Sequence, residues 1–203
     1  MSQKQLIMMI FFWALGLIIS SLGARDFVTW ALEIFPVVIG SLVLLYSNRK
    51  FSLPFYVMIW IFIHGLVLMI GGHYTYAEVP FGFWLKDIFH FERNPYDRIG
   101  HLFQGFVPAL IAKEVLFRQV KIHSKKWIIF LSIAICLSVS VTYELVEWAA
   151  ALILNQGAEA FLGTQGDAWD TQWDMFMALV GAILALSIYY QRWNLNPIKI
   201  VKN

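Results

Sequence analysis

The chain has 203 residues, of which 60% are hydrophobic, 17% aromatic and only 14% charged. A soluble domain is nearer half apolar and one-quarter charged, and a soluble core of this size could not bury the surplus. The net charge of +2, dispersed along the chain, argues against nucleic acid as a partner. With Cys136 as the single cysteine, no intrachain disulfide can form, and its apolar surroundings in the sequence disfavour a reactive thiol.

Crossing the hydrocarbon core takes about 20 mostly apolar residues. Six stretches qualify: Gln5–Leu22, Phe27–Tyr46, Leu53–Gly72, Ile99–Leu116, Trp127–Leu154 and Trp173–Tyr190. The first has Lys4 before it and Ala24 after it, as a signal peptide would. Its length, and the lack of a small-x-small cleavage pattern, read instead as a retained first helix. The loop His73–Arg98 is long and contains Phe81, Trp84, Leu85, Ile88 and Phe89 at i, i+3, i+4, i+7 and i+8. That spacing makes one apolar stripe on a helix too short to span, predicted to lie along the membrane surface. A second polar connection, Asn155–Thr171, precedes the last span. The fold class expected is all-α: one integral membrane domain over residues 1–203, a polytopic bundle of about six transmembrane helices with a short amphipathic interfacial helix in the third loop.

Lys and Arg collect in cytoplasmic loops. With the N-terminus inside, Lys4, Arg49, Lys50, Arg118, Lys121, Lys125, Lys126, Arg192, Lys199 and Lys202 lie inside, against Arg25, Lys86, Arg93 and Arg98 outside. Trp127 and Trp193 then mark the inner interface, and both termini are cytoplasmic. In that orientation every acidic residue except Glu114 falls in an outer loop or the outer half of a helix.

Four segments at that outer depth belong together: Gly71-Gly72-His73-Tyr74, Asn94 through His101, Tyr143 through Trp148, and Gly166 through Asp174. Asp97 and His101 are i, i+4, Glu144 and Glu147 are i, i+3, and Asp170 and Asp174 are i, i+4, so each pair shares a helical face. Carboxylates within a membrane are costly and face a partner or a hydrated cavity. Asp97, Glu144, Glu147, Asp167, Asp170 and Asp174 outnumber the nearby Arg93 and Arg98. Either some of these acids hold a proton, or a cation sits among them. Inward carboxylates and histidines on facing helices are a known way for bundles to hold a divalent metal. The candidate ligands are His73, Asp97, His101, Glu144, Asp170 and Asp174. Two histidines favour zinc, with magnesium or manganese as alternatives. An open coordination position would supply hydroxide at neutral pH, with Glu147 or Glu144 as general base and Arg98 holding a substrate anion. The plainer reading makes Asn94, Asp97, Asp170 and Asp174 residues that favour helix N-termini. His64 is expected to hydrogen-bond between helices, and Glu33 has no assignable partner.

Three stretches, Tyr96-Asp97-Arg98-Ile99-Gly100-His101, Tyr143-Glu144-Leu145-Val146-Glu147-Trp148 and Gly163 through Asp174, resemble the YjdF-like family of bacterial inner-membrane proteins, and the resemblance covers nearly the whole chain. It implies a cytoplasmic-membrane location and carries no activity with it. Asp97, His101, Glu147 and Asp170 or Asp174 are also loosely similar to the ordered acids and histidine of VanZ-like envelope proteins. Trp148 and the second glutamate depart from that pattern. Three functions compete: a metal-dependent hydrolase of a lipid or lipid-linked envelope substrate, a small ion or solute transporter, and a non-catalytic envelope assembly factor braced by a metal or polar cluster.

Overall fold

The computed structural model describes residues 3–154 and 164–190; Arg192, Trp193, Lys199, Lys202 and the stretch 155–163 lie outside the described residues. Seven helices and no strands occur among those described. They are α1 (Gln3–Ser21), α2 (Phe27–Ser47), α3 (Phe55–Tyr74), α4 (Pro80–Phe89), α5 (Tyr96–Arg118), α6 (Lys125–Leu154) and α7 (Asp170–Ile188). Local chemistry sets their starts. Asp26 caps α2, its carboxylate accepting from the Val28 and Thr29 amides at 2.8 and 3.3 Å. Pro54, Pro80 and Pro95 stand at the starts of α3, α4 and α5, where a missing N–H costs nothing.

Helices α1, α2, α3, α6 and α7 are each long and apolar enough to cross a membrane. The remaining long helix, α5, has 23 residues but carries too many polar groups for that measure. It packs against α3, α6 and α7, so His101, Lys113 and Glu114 are buried against protein rather than lipid. Exposed apolar side chains such as Phe11, Ile18, Phe35, Val43, Leu145 and Ile183 form the outer surface, as expected where the solvent is hydrocarbon. Helix α4 follows its predicted stripe, with Phe81, Trp84, Ile88 and Phe89 exposed and Gly82 buried against Asn94. Its apolar face therefore points away from the bundle, toward where a bilayer interface would lie.

Side-chain ties identify the two ends of the bundle. At one end the Asn48 amide donates to Gln3 (3.3 Å), Arg118 donates to the Ser52 carbonyl (2.8 Å), and Lys125 sits 4.8 Å over the Tyr190 ring. At the other end the Arg25 amide donates to the His73 carbonyl (3.1 Å), and the acidic segments of α5, α6 and α7 converge. Lysines and arginines thus gather at one end and carboxylates at the other.

The tightest helix pair is α5 with α7. A Cβ on Gly105 would collide with the Ala178 carbonyl, and one on Gly181 with the Leu102 carbonyl and the Phe106 amide. Ala178, Ala182 and Ala185 continue the small-residue seam, fully buried. Lipid tails are as apolar as leucine, so helix association in a membrane depends on such close backbone approach. Gly181→Val should lower the stability of the detergent-solubilised protein by about 3 kcal/mol, read as a fall in Tm. Gly40→Ala, where an added Cβ meets nothing within 4 Å, should leave Tm unchanged or slightly raised.

Candidate metal centre

The N-terminal turns of α5 and α7 meet around Arg93, which lies in the loop before α5 and is only 9% exposed. Its guanidinium donates to the Asp170 carboxylate and to the Thr164 carbonyl (3.1 Å), and lies 3.8 Å from Asp97 and 3.7 Å from Asp167. Arg98 donates to Asp167 at 2.8 Å while its guanidinium stands 5.3 Å over the Trp173 ring. Asn94 and Gln165 exchange hydrogen bonds, the Asn94 amide donating to Gln165 Oε1 and Gln165 Nε2 to the Asn94 carbonyl, both at 3.0 Å. The Asn94 side chain, fully buried, donates to the Val79 carbonyl and accepts from the Tyr96 amide. These ties lock the loop before α7 onto the start of α5.

One turn deeper lies His101, 6% exposed. Its Nδ1 is 2.9 Å from Gln104 Oε1, the geometry of an N–H donated to an amide oxygen. In the neutral ring that tautomer would leave the Nε2 lone pair free, as in a metal-bound histidine oriented by a second partner. Nε2 faces Asp97 Oδ1 at 3.6 Å and Asp174 Oδ2 at 3.9 Å, while Nδ1 is 3.7 Å from Glu144 Oε1. All three separations exceed the ~3.2 Å reach of a good N–H···O hydrogen bond. The two Nε2 separations lie near the ~3.5 Å that separates two ligands on one tetrahedral ion with bonds of about 2.1 Å, whereas Glu144 stands on the other ring nitrogen. One ligand atom each from Asp97, His101 and Asp174 falls within 4.8 Å of the others. Glu144 Oε1 and Asp174 Oδ1 are buried with no hydrogen-bond partner among the described residues. Carboxylate oxygens left so are expensive unless something positive sits against them. The donor set fits a divalent cation.

A cavity of about 170 Å³ adjoins this group, lined by Glu33, His64, Tyr76, Asp97, His101, Gln104, Tyr143 and Glu147 among others. The Tyr143 hydroxyl donates to Glu33 Oε2 at 2.9 Å, which supplies the partner that sequence reading could not assign to Glu33. Tyr76, in the turn after α3, is held well above the ordinary phenol range by burial and by the Glu33 charge, so its hydroxyl stays a neutral donor. His64 does not join two helices by a hydrogen bond: its ring stacks on Phe103, and its Nε2 has no partner among the described residues.

Among the sequence-derived candidates, Asp97, His101, Asp174 and Glu144 converge, and Glu147 lines the adjoining cavity. Asp170 sits beside them but is bound by Arg93, and Arg98 by Asp167. His73 lies outside the group, with Nδ1 2.8 Å from the Ser20 carbonyl and its ring against Tyr74. The absence of side chains at Gly71 and Gly72 lets the end of α3 pack closely on Tyr76 and α2. Sequence reading gave Asn94 only a helix-start role and gave Gln104 and Gln165 none, although Gln165 lies in the Gly163–Asp174 stretch and Gln104 is the i+3 neighbour of His101.

A membrane bundle with an acidic, histidine-bearing pocket at one end is the class defined by this geometry. The family described as "Predicted membrane protein (DUF2238)" matches residues 5–194, and the chain belongs to it. It is 45% identical over 183 residues to the inner membrane protein YjdF of Escherichia coli (strain K12), covering 90% of this chain and 87% of that protein. No solved structure shows a significant match. The family, the relative and the apolar helices together support a multi-pass inner-membrane protein.

Arg93 is the buried cation on which Asp97, Asp167 and Asp170 converge. Arg93→Ala should cost about 3–5 kcal/mol, since it strands buried carboxylates. A fall in Tm of the purified protein checks this, and Arg25→Ala, on an exposed ion pair with Glu78, should shift Tm far less.

Proposed function

We propose that this protein is a membrane metalloenzyme of the bacterial envelope, a metal-dependent hydrolase of a lipid or lipid-linked substrate at the outer face of the inner membrane. The observation that carries this reading is the Asp97–His101–Asp174 group, with the unpartnered oxygens of Asp174 and Glu144 beside it. Zinc suits an imidazole with carboxylates, and magnesium or manganese suits the carboxylates alone. A bound metal supplies hydroxide at neutral pH. Glu147, which lines the cavity beside Asp97 and His101, would be the base for a water held there, with Glu144, on the Nδ1 side of His101, the alternative. Arg98, 28% exposed along its side chain, edges a larger cavity of about 770 Å³ that also takes in Leu85 and Phe89 of α4. A guanidinium beside apolar walls at interface depth suits a lipid phosphate or carboxylate.

The outer-face assignment follows from charge. Lys4, Arg49, Lys50, Arg118, Lys121, Lys125 and Lys126 all belong to the end opposite the site, the cytoplasmic end by the positive-inside bias. A cysteine placed at exposed Trp169 should react with an impermeant maleimide in intact spheroplasts, and one at Val120 only after lysis; the reverse pattern would put the site inside.

A second reading, a non-catalytic assembly factor, is favoured by the Arg93 network, which braces α5 to α7 whatever else is bound. Elemental analysis separates the two. The purified protein should carry about one metal per chain. His101→Ala and Asp174→Ala should lose it, while Asp167→Asn, on the Arg98 side, should keep it. Metal affinity should also fall as pH is lowered, because ligands must shed protons to bind. Metal content indifferent to His101 and Asp174 would rule the metalloenzyme out.

A further inference from the structure

Between α2 and α6 a groove of about 700 Å³ opens on the lipid-facing side of the bundle, lined by Leu32, Phe35, Ile39, Ile135, Val139 and Val146 together with Glu33, Tyr143 and Glu147. The polar-looking residues on its α6 wall do not offer their hydroxyls to it. Ser138 and Thr142 donate back to the Ala134 and Ser138 carbonyls at 2.9 and 2.7 Å, leaving an apolar wall. The groove and the cavity beside His101 share Glu33, Pro36, Val139, Tyr143 and Glu147, so these side chains form the wall between the two chambers. Across that wall the Tyr143–Glu33 hydrogen bond bridges α6 to α2.

Along α6 the groove runs from Ile135 to the Tyr143 wall, roughly 12 Å at 1.5 Å per residue, and continues past it to Ala150. One leaflet's hydrocarbon is about 15 Å deep, half of the ~30 Å core. Phe35, Ile39, Ile135 and Val139 are exposed on the face that a bilayer would cover, and the stretch up to Tyr143 matches most of one leaflet's depth, which suits one acyl chain and falls short of a long polyprenyl tail. We infer that the α2–α6 groove seats one acyl chain of a glycerophospholipid that enters sideways from the bilayer, with its head group directed past Tyr143 toward Asp97 and His101. This rests on the lipid-substrate reading above and specifies it. The substrate is a glycerophospholipid, and its path to the site is lateral rather than from the aqueous face.

Photo-crosslinking tests this on the full chain reconstituted in phosphatidylethanolamine vesicles doped with a phosphatidylethanolamine bearing a diazirine in its acyl chain. Adducts should concentrate on Phe35, Ile39, Ile135 and Val139. Val139→Trp, which fills the mouth, should lower their yield roughly ten-fold, equivalent to ~1.4 kcal/mol of binding. Val141→Trp, equally exposed on α6 but outside the groove, should not. Adducts spread evenly over exposed α1 residues such as Phe11 and Ile18, or equal yields from the two tryptophan variants, would overturn the inference. Metal content is read on the same samples. Its absence with groove labelling intact would remove the metalloenzyme and leave the lipid seat, whereas normal metal with diffuse labelling would do the opposite.

Discussion

The contact between α5 and α7 holds the rest in place. Gly105 and Gly181 remove the side chains that would keep two backbones apart, and the alanine seam of α7 extends the approach along its length. Two helices that touch at the backbone have little freedom to slide or rotate. The first turns of both are therefore presented to each other in one register: Asp97 and His101 from α5 against Asp170 and Asp174 from α7. The packing on one side of α5 also engages α6, where the Cys136 thiol lies 3.4 Å from the Gly105 carbonyl. That places Glu144, two turns further along α6, beside His101.

Electrostatics distinguishes the two ends of the bundle. At the basic end Glu114 is compensated locally, with Lys113 at 3.0 Å, Arg118 at 3.7 Å and the Tyr56 hydroxyl donating at 3.0 Å. At the acidic end Arg93 and Arg98 meet Asp97, Asp167 and Asp170, while buried oxygens of Glu144 and Asp174 go without a hydrogen bond among the described residues. The first is a closed structural network. The second is an arrangement with a gap in it, shaped by a histidine whose orientation Gln104 holds. In a medium that solvates charge poorly, such unpaired carboxylate oxygens call for a proton or a cation beside them.

Around that gap the fold supplies two kinds of access. The α4 helix lies over the cavity edged by Arg98, with its apolar face outward, at the level where head groups would sit. The α2–α6 groove opens at the level of acyl chains and adjoins the inner cavity across the Tyr143–Glu33 bridge. On the proposed reading, the Arg98 cavity and the α2–α6 groove would meet the polar and the apolar parts of a lipid respectively.

Membrane residence, the helices and the surface helix α4 were legible in the sequence, because the bilayer imposes a length of about 20 apolar residues that composition reports directly. So was the depth shared by the acidic segments, since short loops fix which helix ends lie together. Helical spacing also placed Asp97 with His101 on one face, because i, i+4 geometry is local. Which of these pairs meet was settled only by tertiary packing. His73 shares the depth of the others, yet its ring turns to Ser20. Glu33 looked solitary because its partner, Tyr143, lies on a helix far along the chain. Arg93 acquires its role only once α5 and α7 close on each other, where it meets Asp97, Asp167 and Asp170. Hydrophobic length and helical period are properties of a segment, whereas a site's contacts depend on rotation and approach between segments, set by small residues whose effect appears only when another backbone arrives.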